Sequence, residues 1–167
     1  MIACDEFFVT LTDGFQQTMV LMLDVASRLT VTYPIRRATL SITSEEFQEA
    51  LERAWLPWAG PPRRIRVDPA KAHLARGTEE FCRRHGSTPD VTNAENHDAN
   101  AIVERRISAW KEIFVFTCWE MVLTEADPVW SWSSHIDQAL NMHLRVSGYS
   151  PYHFVFGRDP WVPCSTL

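Results

Sequence analysis

The sequence has no run of about 18 consecutive apolar residues, which argues against a membrane-spanning helix. It has no paired cysteines either: Cys4, Cys82, Cys118 and Cys164 stand apart, without C-x-x-C spacing. The histidines supply no matching H-x-x-x-H partner, so a structural zinc site is not expected, and the cysteines read as reduced thiols of an intracellular protein. The opening MIACDEFF has no basic stretch ahead of an apolar core, so no secretory leader is expected there. The chain opens on a strand-like segment, as an excised domain would. Internal repeats and low-complexity tracts are absent. An excess of positive charge is missing too: the net charge is −5, which taken whole argues against nucleic acid.

What is present points to a folded domain. At 167 residues, with 46% hydrophobic content, seven Trp and nine Phe, the chain can bury a substantial core and does not have the composition of a disordered segment. Its charge is also segregated. Residues 60–111 carry ten Lys and Arg against seven Asp and Glu, whereas the remainder carries six against fourteen. A small positive excess of this kind is an ordinary solvated face unless the acids within it have a separate task.

Three strands are predicted first. They are residues 2–11 (IACDEFFVTL), the nearly continuous apolar run 18–26, and the alternating LTVTYPI at 29–35. The short turns between them, including TDG at 12–14, suit an antiparallel meander. A helix follows, started by the capping-box pair Thr43 and Glu46, with an apolar stripe at Phe47, Leu51, Ala54, Trp55 and Trp58. Gly60-Pro61-Pro62 ends it. RRIRVD at 63–68 predicts a fourth strand ended by Pro69, residues 74–85 a helix closed by Gly86, and 87–92 a short fifth strand. A long helix is predicted from Asn96 or His97, burying Val103, Ile107, Trp110 and Phe114. Another, near Pro128, carries Trp132, Ile136 and Leu140, and the tail SGYSPYHFVFGRDPWVP is expected as an irregular cover. Helical crossovers would add strands four and five in parallel. The result is an α/β fold: a mixed five-stranded sheet, three antiparallel strands then two parallel, with helices on both faces.

Three carboxylates in this framework need a reason. Asp5 lies mid-strand among apolar neighbours, where burial without a partner costs several kcal/mol, or roughly that. Asp68 ends the fourth strand. Glu104 stands on the edge of a buried helical stripe, in the stretch HDANAIVERR, with Asn100, Ser108 and Lys111 on the same polar edge. Singly, each has a structural reading: an edge carboxylate, a strand-end cap, a surface charge paired with an arginine. If strands one and four are neighbours, however, Asp5 and Asp68 face each other and the long helix delivers Glu104. Converging carboxylates repel unless cations lie between them, and hard oxygen donors without His or Cys suit Mg²⁺ or Mn²⁺. Two such ions would serve phosphoryl transfer, with the surrounding Arg and Lys holding a phosphate backbone.

These residues resemble the catalytic core of retroviral and retrotransposon integrases, which has a ribonuclease-H-like fold. Asp68 and Glu104 are separated by 35 residues, the spacing of that family's Asp-Asp-Glu triad. HDANAIVER resembles its H-x-x-N-G-x-x-E-R pattern at His97, Asn100, Glu104 and Arg105. MVLMLDVASR at 19–28 resembles its second strand, and SPYHFVFGRDPWVP at 150–163 its closing segment. The resemblance implies two-metal catalysis, with Asp5 bridging both ions, Asp68 on one and Glu104 on the other. It implies DNA contacts at Asn100 and Lys111, and Arg105 and Lys71 are assigned to DNA with them. Asp24 and Asp13 compete for the role of first aspartate, but Asp24 falls where the family has a non-catalytic strand-end acid. Asp98 and Glu95 are read as surface residues.

The sequence departs from the pattern at Pro69-Ala70, where the family usually has Asn-Gly, and at Ala101, where it usually has Gly. Both changes stiffen the backbone near the site. The expected organisation is one catalytic core over 1–167, with the core fold at about 2–123 and a final helix and cover at about 124–167. The family's zinc-binding N-terminal domain and basic C-terminal domain are read as absent. The implied function is processing of an element's 3′ DNA ends and their transfer into target DNA, by a homodimer or larger homo-oligomer, in the nucleus at the point of integration. The Trp-rich region 110–136 is the candidate oligomer surface. The alternatives are a ribonuclease-H-like nuclease on the same fold, or a domesticated, inactive core kept as a binding or oligomerisation module.

Overall fold

Strand β1 (Ile2–Thr10) runs antiparallel to β2 (Gln16–Asp24) in unbroken register from Ile2↔Asp24 to Thr10↔Gln16. The turn between them closes because Gly14 takes a positive φ of 86° and the Asp13 carboxylate accepts from the Phe15 N–H at 3.0 Å. β3 (Thr30–Pro34) continues the meander on the other edge of β2. The computed structural model of the chain describes residues 1–35, 42–68, 71–90, 101–143 and 148–158. Among these, β4 (Arg64–Arg66) lies parallel to β1, and β5 (Thr88–Pro89) parallel to β4, giving the order β3-β2-β1-β4-β5. The mixed five-stranded sheet expected from the sequence is therefore observed. β4 is shorter than the 63–68 predicted; its outer neighbour offers only two residues, and Pro89 has no N–H with which to extend the ladder.

Because successive side chains on a strand point to opposite faces, each face of the sheet builds its own core. Ile2, Cys4, Val20 and Met22 pack against Phe47, Leu51, Leu74 and Phe81. Ala3, Phe7, Met19 and Leu21 pack against Val103, Trp110, Phe114, Trp132 and Ile136 on the other side. β2 is buried along both faces, which explains why its sequence shows no alternation.

The first face is covered by α1 (Ser44–Ala50), whose capping box is formed in both directions: the Thr43 N–H donates to Glu46 Oε2 at 2.8 Å and the Glu46 N–H to Thr43 Oγ1 at 3.2 Å. The helix does not stay α throughout the predicted span. It passes through a π-helical turn (Leu51–Trp55) into α2 (Leu56–Ala59). Pro57 lies just past this turn; it has no N–H for an i→i−4 bond, and the wider turn accommodates the gap. Trp58, expected in the buried stripe, is instead 39% exposed and rests on Trp55.

α3 (Ala72–His85) crosses α1 closely at Gly77. A Cβ built there would meet Ser44 O at 2.9 Å and a Phe47 ring carbon at 3.1 Å. Gly77→Ala is accordingly expected to destabilise the fold by about 1–3 kcal/mol despite alanine's better helix propensity, as an overpacking change does. Urea denaturation measures it, and a stabilised variant would contradict the packing described.

The second face is covered by α4 (Ala101–Met121) and α5 (Val129–His143). The predicted start of the long helix at Asn96 or His97 lies outside the described residues. From Ala101 onward the stripe holds, with Val103, Trp110 and Phe114 buried and Ile107 packed at its margin. The tail departs from the irregular cover expected: Pro151–Phe156 form a short helix, α6, capped by Ser150 Oγ accepting from the His153 N–H at 3.0 Å and closed by Gly157 at φ 70°.

Candidate active site

Alternation along β1 decides where its acids go. Asp5 shares parity with Ala3 and Phe7, both buried against α4, so it projects from the α4 face of the sheet, whereas Glu6 shares parity with Ile2 and Cys4 on the α3 face. The parallel ladder pairs Ala3 with Arg66; run on by two residues, that register brings Asp68 level with Asp5. On α4, Glu104 is solvent-exposed one turn ahead of Ser108. Asp5 and Glu104 line a single open cleft of about 510 Å³, together with Glu6, Lys71, Ser108 and Lys111. The helix edge read from the sequence as Glu104, Ser108 and Lys111 is thus one wall of this cleft. Asp68 is half-buried two residues past the end of β4, rather than its last residue as expected, and is not among the residues lining the cleft.

The cations of the cleft are held differently. Lys71 Nζ donates to Asp5 Oδ1 at 2.6 Å and lies 3.8 Å from Glu6 Oε1. Asp5 Oδ1 also accepts from the Glu6 N–H at 2.8 Å. Lys111, on the opposite wall, sits over the rings of Phe7 and Phe8, 5.6 and 5.3 Å from their centroids, and burial pushes its ammonium below the usual lysine range. Arg105 is exposed on α4 and donates to the Ala101 carbonyl at 3.1 Å, outside the lining of the cleft.

The competing acids are otherwise engaged. Asp24 Oδ2 accepts from the Ser27 N–H and Oγ at 2.9 and 2.6 Å, holding the β2–β3 turn. Asp13 accepts from the Phe15 and Glu125 N–H groups. Asn100, Glu95, His97, Asp98 and the Pro69-Ala70 pair lie outside the described residues. Asp5, Asp68 and Glu104 offer the hard oxygens that Mg²⁺ or Mn²⁺ prefers, and two of them, Asp5 and Glu104, share the cleft. The donor set therefore fits such an ion in chemistry. Among the described residues, however, no three His, Cys, Asp or Glu side chains converge closely enough to hold a metal as they stand, and the cation in contact with Asp5 is the Lys71 ammonium.

Two participants were not identified from the sequence. Glu6 borders the cleft, with its carboxylate fixed by His73 Nε2 at 2.9 Å and the Ile42 N–H at 3.2 Å; its only sequence signal was its position beside Asp5. Arg106, two residues from Glu104, is buried and donates to Thr30 Oγ1 and to the Arg28 carbonyl, which ties α4 to β3. Nearby, Asp137 of α5 accepts from the Thr32 N–H at 2.7 Å, Thr32 Oγ1 at 2.9 Å and Trp110 Nε1 at 2.9 Å. These buried polar contacts fix how α4 is turned against the sheet, and so which way Glu104 faces.

No protein-family model matches the sequence, and no curated protein is similar enough to match it. Solved structures do match. The catalytic core domain of HTLV-2 integrase, determined in complex with magnesium in a dimeric form, superposes with a TM-score of 0.69 at 16% identity, over 90% of this chain and 92% of that one. A chain of the simian T-cell lymphotropic virus intasome gives 0.75 at 16% identity, over 99% of this chain and 59% of that longer one. The catalytic core domain of BIV integrase gives 0.65 at 15% identity, over 91% of each. At this level of identity the likeness speaks for architecture, and the architecture is clear: this chain has the ribonuclease-H-like fold of the retroviral integrase catalytic cores.

Proposed function

We propose that the chain is the catalytic core of an integrase of retroviral or retrotransposon type, a polynucleotidyl transferase that trims an element's 3′ DNA ends and joins them to target DNA. The observation that carries this reading is the cleft in which Asp5 of β1 and Glu104 of α4 meet Lys71 and Lys111, within a fold shared with integrase cores. In this reading, Asp5, Asp68 and Glu104 are the residues that would hold Mg²⁺ or Mn²⁺. When bound, two such ions activate the attacking oxygen and stabilise the leaving one. The chain's own part is to place DNA: Lys111, and Lys71 once it has left Asp5, take backbone phosphates, with Arg105 of α4 and Asn100 as further DNA contacts.

The partners in this reading are the element's DNA ends and target DNA, met in the nucleus at the point of integration. No helix among the described residues is long and apolar enough to cross a membrane. Self-association uses the apolar C-terminal half of α4, where Phe116 and Trp119 are 75% and 77% exposed. A second reading, a domesticated core acting as a binding or oligomerisation module, is favoured by one observation: the contact of Lys71 with the carboxylate that a metal would need.

The test is Mn²⁺-dependent strand cleavage and joining on a branched DNA substrate, with Glu104→Gln in parallel. Products from the native chain and none from the variant are expected. Absence of products and of Mn²⁺ binding in a folded native chain would favour the module, and preference for an RNA–DNA hybrid would favour a ribonuclease H.

A further inference from the structure

We infer that Lys71 is the resting counter-ion of Asp5, so that a divalent cation reaches Asp5 only by displacing it, and that nucleic-acid phosphate, by drawing the ammonium away, tightens cation binding. This deepens the metal-dependent reading above and rests on it. Lys71 is built to move at its tip and nowhere else. Its backbone is fixed at the head of α3: its N–H donates to the Asp68 carbonyl at 3.1 Å, and its carbonyl accepts from the Leu74 and Ala75 N–H groups at 3.0 and 3.1 Å. The four-carbon stem crosses from there to Asp5 with its side chain still 29% exposed, and Asp5 is 16% exposed. An ammonium on such a stem swings without disturbing the fold.

The neighbours are arranged so that its departure strands no charge but that of Asp5. Glu6, which shares the ammonium at 3.8 Å, keeps His73 and the Ile42 N–H. Asp5 keeps only the Glu6 N–H among these partners, and one backbone donor does not neutralise a carboxylate. A cation that arrives as Lys71 leaves restores the balance. Lys71 and the cation therefore compete for one carboxylate, and a phosphate in the cleft, with Lys111 on the far wall, offers the displaced ammonium a second anion. Coupling of this kind is reciprocal: whatever factor DNA adds to cation affinity, the cation adds to DNA affinity.

Mn²⁺ titration of the native chain and of Lys71→Met, each with and without a short blunt-ended DNA duplex, tests the inference. The variant should bind Mn²⁺ about tenfold more tightly or better, since one charge-assisted contact no longer opposes the ion. The duplex should tighten Mn²⁺ binding to the native chain by a larger factor than it does to the variant. Lys71→Gln serves the same purpose if Lys71→Met does not fold, as judged by its thermal transition without metal. Equal Mn²⁺ affinities of the native chain and variant overturn the competition and leave the metal site standing. No Mn²⁺ binding by either chain overturns the competition and the metal site together. The expected Mn²⁺ coupling in a chain that fails to join DNA strands supports the inference and counts against the transferase reading alone.

Discussion

Trp110→Ala is expected to cost about 4–8 kcal/mol of stability, the sum of a roughly 3–5 kcal/mol cavity term for a buried aromatic and roughly 1–3 kcal/mol for an abandoned polar partner. The side chain is fully buried between β1 and α4. Its ring meets Phe7 edge-on at 5.0 Å, stacks on Phe114 at 5.8 Å with an interplanar angle of 11°, and tilts against Trp132 at 6.2 Å. The indole N–H donates to Asp137 Oδ1 at 2.9 Å. Truncation empties the space beneath α4 and withdraws one of Asp137's three donors. Against the roughly 5–15 kcal/mol that holds an ordinary domain together, the loss threatens folding outright. Trp110→Phe keeps most of the ring contacts and gives up the N–H, so it should cost distinctly less. Urea denaturation of the two variants separates the terms, and a loss below about 2 kcal/mol for the alanine variant would contradict this account of the second core.

The second large effect is a dependence of stability on pH. Burial pushes the Asp137 carboxyl up to about 7, against the opposing pull of the Thr32 backbone and side-chain donors, Trp110 Nε1 and the nearby Arg106 guanidinium. In the unfolded chain the same group titrates near 3.9 (about the model-peptide value). Between those two values the folded protein holds a proton that the unfolded chain has lost. The group's stabilising contribution is therefore whole below about pH 4, declines as pH rises and is gone above about pH 7. A shift of this size, at about 1.4 kcal/mol per pH unit, corresponds to roughly 4 kcal/mol across the interval. Asp137→Asn cannot titrate, so the difference in unfolding free energy between it and the native chain should shrink as pH rises from 5 to 7, at up to about 1.4 kcal/mol per unit. A difference that does not change over that range would mean that the donors around Asp137 outweigh its burial.

The features legible in the sequence were those with local causes. Thr43 and Glu46 announce a helix start because both halves of the capping box lie within one turn. Val103, Trp110 and Phe114 announce a buried face because their spacing follows the helical period. The neighbouring of β1 and β4 is legible from the crossover order, whereas the facing of Asp5 and Asp68 lies two residues past the last ladder pair, Ala3↔Arg66. Arg106 was opaque for the opposite reason. It lies on the buried side of α4 between Val103 and Trp110, but a charged residue is read as solvated until its partner is known, and that partner, Thr30, is 76 residues away. Asp137 is hidden likewise, 105 residues from Thr32. Lys71 was read as a phosphate ligand because spacing does not show a contact with Asp5. The α6 helix was missed although Ser150, Pro151 and Gly157 are ordinary start and stop signals; the aromatic and Pro-rich surroundings masked them.

The parallel pairing of β1 with β4 also has a consequence for the order in which the molecule assembles. The β1–β2–β3 meander joins segments adjacent in the chain and closes over short loops, so it can form early. The Asp5 carboxylate meets Lys71 only after a 66-residue loop has closed, and meets the wall carrying Glu104 only after α4 has docked on the far face. Contacts of such long span are costly in chain entropy and come late. The cleft is thus a product of completed folding, and a chain released or cleaved before α4 docks would keep much of its sheet, with Asp5 and Lys71 in place but no second wall to make them a site.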